Sequence, residues 1–137
     1  YAEELQRCLR YYWLLVKGGE PSSSSNPQQY IGDGGIWGYN SATGTDLNLG
    51  VNAPVPLRAS PTIDQTNGSD YYYVAIGGAI SNVDGAWIIG DHTEQRPSQH
   101  WRQFTLRATV DASYTVGLQG RCWTNNDSAK IALSAEL

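Results

Sequence analysis

The stretch "TDLNLGVNAPVPLRASPTID", residues 45–64, changes character twice, and its reading decides the fold. Leu47, Leu49 and Val51 alternate with Asp46, Asn48 and Asn52. A period of two with one apolar and one polar face marks a half-buried antiparallel strand. Pro54 and Pro56 come next; without an N–H they cannot donate to a ladder, so they mark the strand's end at an edge or corner. Pro61 pushes Ser60 into extended backbone, and a second strand starts there. The stretch thus predicts a strand, a corner and a second strand, with the chain crossing between sheets. Arg58 in the corner is either a solvated residue or an anchor that bonds carbonyls or a carboxylate.

The same period recurs along the chain. "PTID" and "YYYVAI" flank Asn67-Gly68, a hairpin signal because both residues tolerate positive φ. Asn82 to Gly85 offers a turn before "AWIIG". In "HWRQFTLRATV", Phe104, Leu106, Ala108 and Val110 alternate with Gln103, Thr105, Arg107 and Thr109. After a turn at "DASY" come "TVGLQGRCW", the polar turn "TNNDS" and "AKIALSAEL", where Ile131 and Leu133 oppose Lys130 and Ser134. Only the opening "YAEELQRCLRYYW" has helical spacing, at Leu5, Cys8, Leu9 and Tyr12, with Glu3 and Glu4 where the helix dipole favours them. About two turns of helix lead into a strand at "YYWLLVK", then a loop at "GGEPSSSSNPQQ". The expectation is one all-β domain over residues 1–137: an antiparallel β-sandwich, most simply a jelly roll, of about eight strands with one short N-terminal helix.

Composition narrows the function classes. The net charge is -4 and no lysine/arginine run is present, which excludes nonspecific nucleic-acid binding, a task that needs a clustered basic footprint. Apolar runs such as "YYWLLV" fall far short of the ~20 residues a membrane helix needs, so no membrane insertion is expected. No signal peptide is visible, and a chain that begins at Tyr1 and lacks methionine reads as the C-terminal part of a longer protein. Cys8 and Cys122 read as two buried free thiols, too few for a disulfide framework or a metal site. Fifteen glycines, nine tyrosines and five tryptophans against 16% charged residues suit tight turns and half-buried aromatics.

Motifs for chemistry are absent: no nucleophile elbow, P-loop or dinucleotide fingerprint. His92 and His100, with Asp91 and Glu94 in "DHTEQRPSQH", read as a polar loop, since no third ligand is indicated. Asp33, Asp46, Asp64, Asp70, Asp84 and Asp91 are scattered, mostly as turn residues, and no glycosidase pair can be located among them. A hydrolase built on Asp91 and Glu94 ranks last. The reading is not an enzyme, with no cofactor and no metal.

The aromatics say more. Trp101 shares the polar face of its strand with Gln103, Thr105 and Arg107, and Trp123 does so with Gln119 and Arg121. Outward aromatics beside arginine suit a protein–protein interface or a sugar-stacking platform. The alternative is that both rings cover the edge of the core. Trp37 and Tyr39 alternate together in "GDGGIWGYN", and Trp87 joins them as a candidate for stacking on a sugar. In the tyrosine run, Tyr72 shares the side of Val74 and Ile76 and belongs to the core, leaving Tyr71 and Tyr73 for the surface or an interface.

Three segments, "YAEELQRCLRYYW", "APVPLRASPTI" and "IALSAEL", together resemble a domain at the C-terminal end of many bacteriophage tail-fibre and other virion proteins. The pattern E-E-L-x-x-C-x-R-Y-Y matches at Glu3, Glu4, Leu5, Cys8, Arg10, Tyr11 and Tyr12; P-V-x-M/L-R-x-x-P-T matches at Pro54, Val55, Leu57, Arg58, Pro61 and Thr62. The middle, including "YYYVAIGGAISNVDGAWIIGDHTEQRPSQHW", is longer and more aromatic than the resemblance leads one to expect. The resemblance implies a non-enzymatic β-sandwich that forms a homotrimer on the virion, as part of a tail fibre or a capsid-decorating protein, assembled in the bacterial cytoplasm. Its partners would be other virion proteins and a host receptor such as a cell-surface polysaccharide. It also favours the anchor reading of Arg58. The competing reading is a lectin-like carbohydrate-binding module, which fold alone cannot separate from the first.

Overall fold

The fold is seen in a computed structural model that describes residues 1–22, 25, 27–38, 41–89 and 101–135, with Trp101 and Arg102 described by their backbone alone. Among the described residues one helix, α1 (Ala2–Leu9), precedes nine strands: β1 (Tyr12–Lys17), β2 (Tyr30–Trp37), β3 (Thr43–Leu57), β4 (Thr62–Gln65), β5 (Tyr72–Ile76), β6 (Ala79–Ile89), β7 (Trp101–Thr115), β8 (Gln119–Thr124) and β9 (Lys130–Ser134). The all-β antiparallel architecture and the short N-terminal helix are as the sequence predicts. The arrangement differs from two facing sheets of a jelly roll. Strands β2-β3-β7-β6-β5-β8 close into a barrel, and β1-β9-β4 form a separate three-stranded sheet.

Strand length and irregularity account for the closure. β3 and β7 run 15 residues each. Their ladder slips register between Gly44 and Asp46 and again between Asn52 and Leu57. Slips of this kind bend a strand and raise its twist, so a long pair curls instead of lying flat. Pro54 and Pro56 sit in the second slip, where no ladder N–H is demanded. They interrupt the pairing inside β3 and do not end the strand, which corrects the expectation. The chain then crosses to the other sheet as expected, with Pro61 buried at the corner and β4 starting at Thr62.

Three predicted turns move for related reasons. "DASY" lies inside β7, and the reversal comes later, at Gly117 with φ 91°. The Asn82 to Gly85 segment lies inside β6: Asn82, Val83 and Asp84 are paired, and the ladder to β7 is irregular only between Asp84 and Ile88. Asn67-Gly68 does not join a hairpin. β4 pairs with β9 while β5 pairs with β6 and β8, so the chain passes there from the small sheet to the barrel. The tight hairpin is at Gly77-Gly78, both at positive φ (57° and 86°), which link the paired Ile76 and Ala79.

Alternation fills the barrel. Leu47, Leu49, Val51, Phe104, Leu106, Val110, Val74 and Ile76 are buried, together with the two largest side chains, Trp87 and Tyr72, whose rings meet edge-on at 5.8 Å. Tyr72 is core, as its register predicts. At the closing seam Gly34 of β2 pairs with Gly120 of β8. A Cβ at Gly34 would strike the Leu49 side chain; one at Gly120 would strike Ile76 and stand 2.8 Å from the Ala75 carbonyl oxygen.

Buried polar atoms tie the two sheets together. The Gln65 side chain on β4 clamps the backbone of Trp87 on β6: Oε1 accepts from its N–H and Nε2 donates to its carbonyl, each at 2.7 Å. The Tyr72 hydroxyl donates to the Lys130 carbonyl at 2.7 Å and accepts from the Lys130 N–H at 3.2 Å. Thr124 Oγ1 donates to the Gly18 carbonyl at 2.8 Å and accepts from the Gln29 N–H at 2.9 Å. Each bond satisfies a group that burial would otherwise leave unpaired.

Gly120→Ala is expected to cost about 1–3 kcal/mol in chemical denaturation, the usual range for overpacking. Gly50, also in the barrel, has nothing within 4 Å of an added Cβ, so Gly50→Ala is expected to leave stability unchanged or slightly raised.

Candidate functional site

Barrel closure assembles the most distinctive surface of the molecule. Across β2, β8 and β5, Tyr30 pairs with Trp123 and Trp123 with Tyr73. The Tyr73 and Trp123 rings stack at 5.4 Å with planes 15° apart, and Tyr30 meets Trp123 edge-on at 5.9 Å. Such a row is the cross-strand form of aromatic packing, with both offset-stacked and edge-on contacts. The Tyr73 hydroxyl donates to Gln28 Oε1 at 3.0 Å, which fixes the outer end of the row. One step along the strands, Arg121 Nε lies 3.7 Å from Asp33 Oδ1, with both side chains largely exposed. An ion pair so open to water adds little to stability. The Tyr30 phenol is held above its ordinary range, first by hydrogen bonding to the Asp33 side chain and then by desolvation.

Two depressions flank this row. One of about 350 Å³ is lined by Pro21, Gln28, Tyr73, Ile80, Asn82 and Asn125. The other, about 480 Å³, lies over Asp33, Ala75, Gln119, Gly120 and Arg121. Neither is an enclosed cleft, and none of the described carboxylates is buried. Among the described residues no three His, Cys, Asp or Glu side chains group as metal ligands. No described helix is long and apolar enough to cross a membrane.

The predicted site residues therefore separate. Tyr73, Trp123 and Arg121 come together on the outer face, as their alternation implies. Tyr71 is half-buried and packs against the core. Trp37 is exposed on β2, facing Asp46 of β3 in the ladder. Trp87 is corrected: at 1% exposure it belongs to the core, on the same inward side of β6 as Ser81 and Val83, and no sugar can reach it. Tyr39, the side chain of Trp101, and His92, His100, Asp91 and Glu94 lie outside the described residues. Tyr30, Gln28, Ile80, Asn82 and Asn125 were not foreseen. The Gly77-Gly78 hairpin is the signal for Ile80 and Asn82, which it brings beside β5; the β2–β8 pairing that delivers Tyr30 leaves only the weak mark of the glycines from Gly32 to Gly35.

A second cluster holds the N-terminal segment to the body. The Arg58 N–H donates to the Arg10 carbonyl at 2.9 Å, and Ala135 N–H donates to the Tyr11 carbonyl at 2.7 Å. Arg58 Nη1 donates to the Tyr11 hydroxyl at 3.1 Å, and its guanidinium carbon lies 5.3 Å from the Tyr11 ring centroid. Arg58 is thus an anchor whose side-chain partner is a tyrosine, where a carbonyl or carboxylate was expected. In the small sheet, Tyr12 and Thr62 both pair with Ser134. α1 itself buries none of its residues, and only Leu9 is even half-buried. Leu5 on α1 and Leu14 on β1 remain 48% and 42% exposed.

Comparison with models of known protein families, with curated proteins and with solved structures found no match.

The inward side of β8 carries Cys122, buried as predicted, whereas Cys8 is exposed on α1, whose amphipathic face has no covering among the described residues. Burial pushes the Cys122 thiol well above its ordinary range and raises the Tyr72 phenol as well. An acid whose folded pKa is raised keeps its full contribution to stability below its unfolded pKa and loses it as pH climbs. Stability is therefore expected to hold to roughly pH 8.5, the unfolded thiol value, then to fall. Cys122→Ala should move that onset toward pH ~10, where tyrosine takes over. Denaturation midpoints across the alkaline range check this; an identical onset in both proteins would refute it. In the native protein only Cys8 should react promptly with a thiol reagent.

Proposed function

We propose that this chain is a non-enzymatic structural domain of a bacteriophage virion, assembled as a homotrimer through α1 and the outer face of β1. One observation carries the reading. The three segments that resemble virion domains, far apart in sequence, lie against one another through Arg10, Tyr11, Arg58, Tyr12, Thr62, Ser134 and Ala135. Beside them the chain leaves Tyr1, Leu5, Tyr12 and Leu14 uncovered.

Physical reasoning supports assembly at that surface. An amphipathic helix of eight residues is marginal by itself in water and normally gains its stability from burying its apolar face. Among the described residues no element provides that burial. A closed symmetric ring covers such a face on every copy at once, shields the edge strand β1 from wrong pairing, and multiplies weak contacts to a host surface. In this reading the domain forms part of a tail fibre or decorates the capsid. The aromatic row on β2, β8 and β5 is then the receptor-facing surface. The other partners are neighbouring virion proteins.

Light scattering over a dilution series tests the assembly. A stable species of three 15.0 kDa chains is expected. The double variant Leu5→Asp/Leu14→Asp should reduce it to one chain with the circular dichroism of the barrel retained, because neither side chain belongs to the core. A single-chain mass at every concentration would overturn the trimer. Antibody raised against the domain should label particles of the encoding phage in electron micrographs, at fibre tips or over the capsid; unlabelled particles would overturn the virion reading.

A further inference from the structure

We infer that the depression beside Tyr73 is a binding site for one pyranose unit of an uncharged glycan. This goes beyond the assembly reading and does not depend on it.

The site has a rigid aromatic wall. Tyr73 stands on the outer surface of the barrel, with one ring face lying flat on Trp123, which Tyr30 supports from the far side. Its hydroxyl is held by Gln28. Its strand neighbours are Trp123 on one side and Asn82 on the other, so the second ring face is turned toward β6 and into the depression. A half-buried ring held this way has lost its rotamer freedom before any ligand arrives, which lowers the ordering cost of binding.

The rest of the lining fits a sugar and fits poorly elsewhere. Pyranoses carry a patch of C–H groups on one face and hydroxyls, each donor and acceptor, around the rim. Tyr73 offers the flat apolar partner, and Ile80, 71% exposed, and Pro21 extend it. Gln28, Asn82 and Asn125 supply amides, which also donate and accept. The bond from Tyr73 uses the Gln28 acceptor and neither of its two donors. Among the described residues no charged side chain lines the depression, so phosphate, carboxylate and sulfate groups find no counter-ion in that lining. At about 350 Å³ it has the size of a small-ligand site. It is open to one side, leaving room for the sugar's neighbours in a chain. Ile80 is a further sign: a large apolar side chain beside three amides and a fixed ring is arranged as a contact surface, since nothing among the described residues covers it.

The test uses the whole chain, labelled with ¹⁵N, titrated to millimolar concentration with tetrasaccharides of β-1,4-glucose, α-1,4-glucose, β-1,4-N-acetylglucosamine and α-mannose. At least one is expected to bind, with shifts confined to the amides of Gln28, Asn82 and Asn125 and the backbone of Tyr73 and Ile80. Tyr73→Ala should weaken that binding by roughly tenfold. Asn82→Ala/Asn125→Ala, which removes only surface amides and leaves the aromatic row intact, should weaken it roughly three- to tenfold per bond lost. Arg121→Ala should leave it unchanged. Three results would overturn the site: no binding by any of the four, binding that both Tyr73→Ala and the double variant leave unaltered, or binding abolished by Arg121→Ala, which would place the ligand over the Asp33–Arg121 pair.

Discussion

Where β2 meets β8 the interior of the barrel is already full. Leu49 and Ile76, backed by Leu47 and Val74, occupy the space a side chain from either strand would need, and Gly34 and Gly120 face each other across the seam. This steric limit lets the barrel close at all. With bulkier residues the two strands would be pushed apart, and an open edge would remain for other chains to pair with. The outer face of the same seam inherits the result. Strands brought this close place Tyr30, Trp123 and Tyr73 in one row and Arg121 near Asp33.

The second sheet depends on the first through a few polar atoms. Gln65 reads both polar groups of the Trp87 backbone, Tyr72 reaches Lys130, and Thr124 bridges Gly18 and Gln29. Each links a side chain in one element to backbone in another, so the sheets lie in one defined relation and a slipped packing leaves buried groups unpaired. The N-terminal segment is held more lightly, by the Arg58–Tyr11 contact and two backbone bonds at the corner.

Surface and core divide the aromatics by a single parity rule, and its break at Tyr30 is informative. Tyr72 and Tyr73 fall on opposite faces because β5 is regular over its five residues. Trp87 obeys the rule: the β6 ladder slips between Asp84 and Ile88 by two residues, so the alternation keeps its phase and Trp87 shares the inward side of Ser81 and Val83. Tyr30 was overlooked because its ladder to β8 slips by one residue between Tyr30 and Gly32, which changes the outward face of β2. Bulges are set by sheet curvature and leave weak marks in sequence, here an isolated glycine at Gly85 and a cluster from Gly32 to Gly35.

The sequence by itself determined the β class, the short helix, the core assignment of Tyr72 and the crossing at Pro61, because each follows from local periodicity or from proline's fixed geometry. It also placed Trp123 and Arg121 on one outward face. Only the tertiary structure decided that the sheet closes into a barrel, that β4 turns away from β5 to pair with β9, and that Tyr30, Trp123 and Tyr73 share a row. Those outcomes depend on which distant strands meet and how far long strands curl. Both are properties of packing the whole chain around one interior, and no short window of residues contains them.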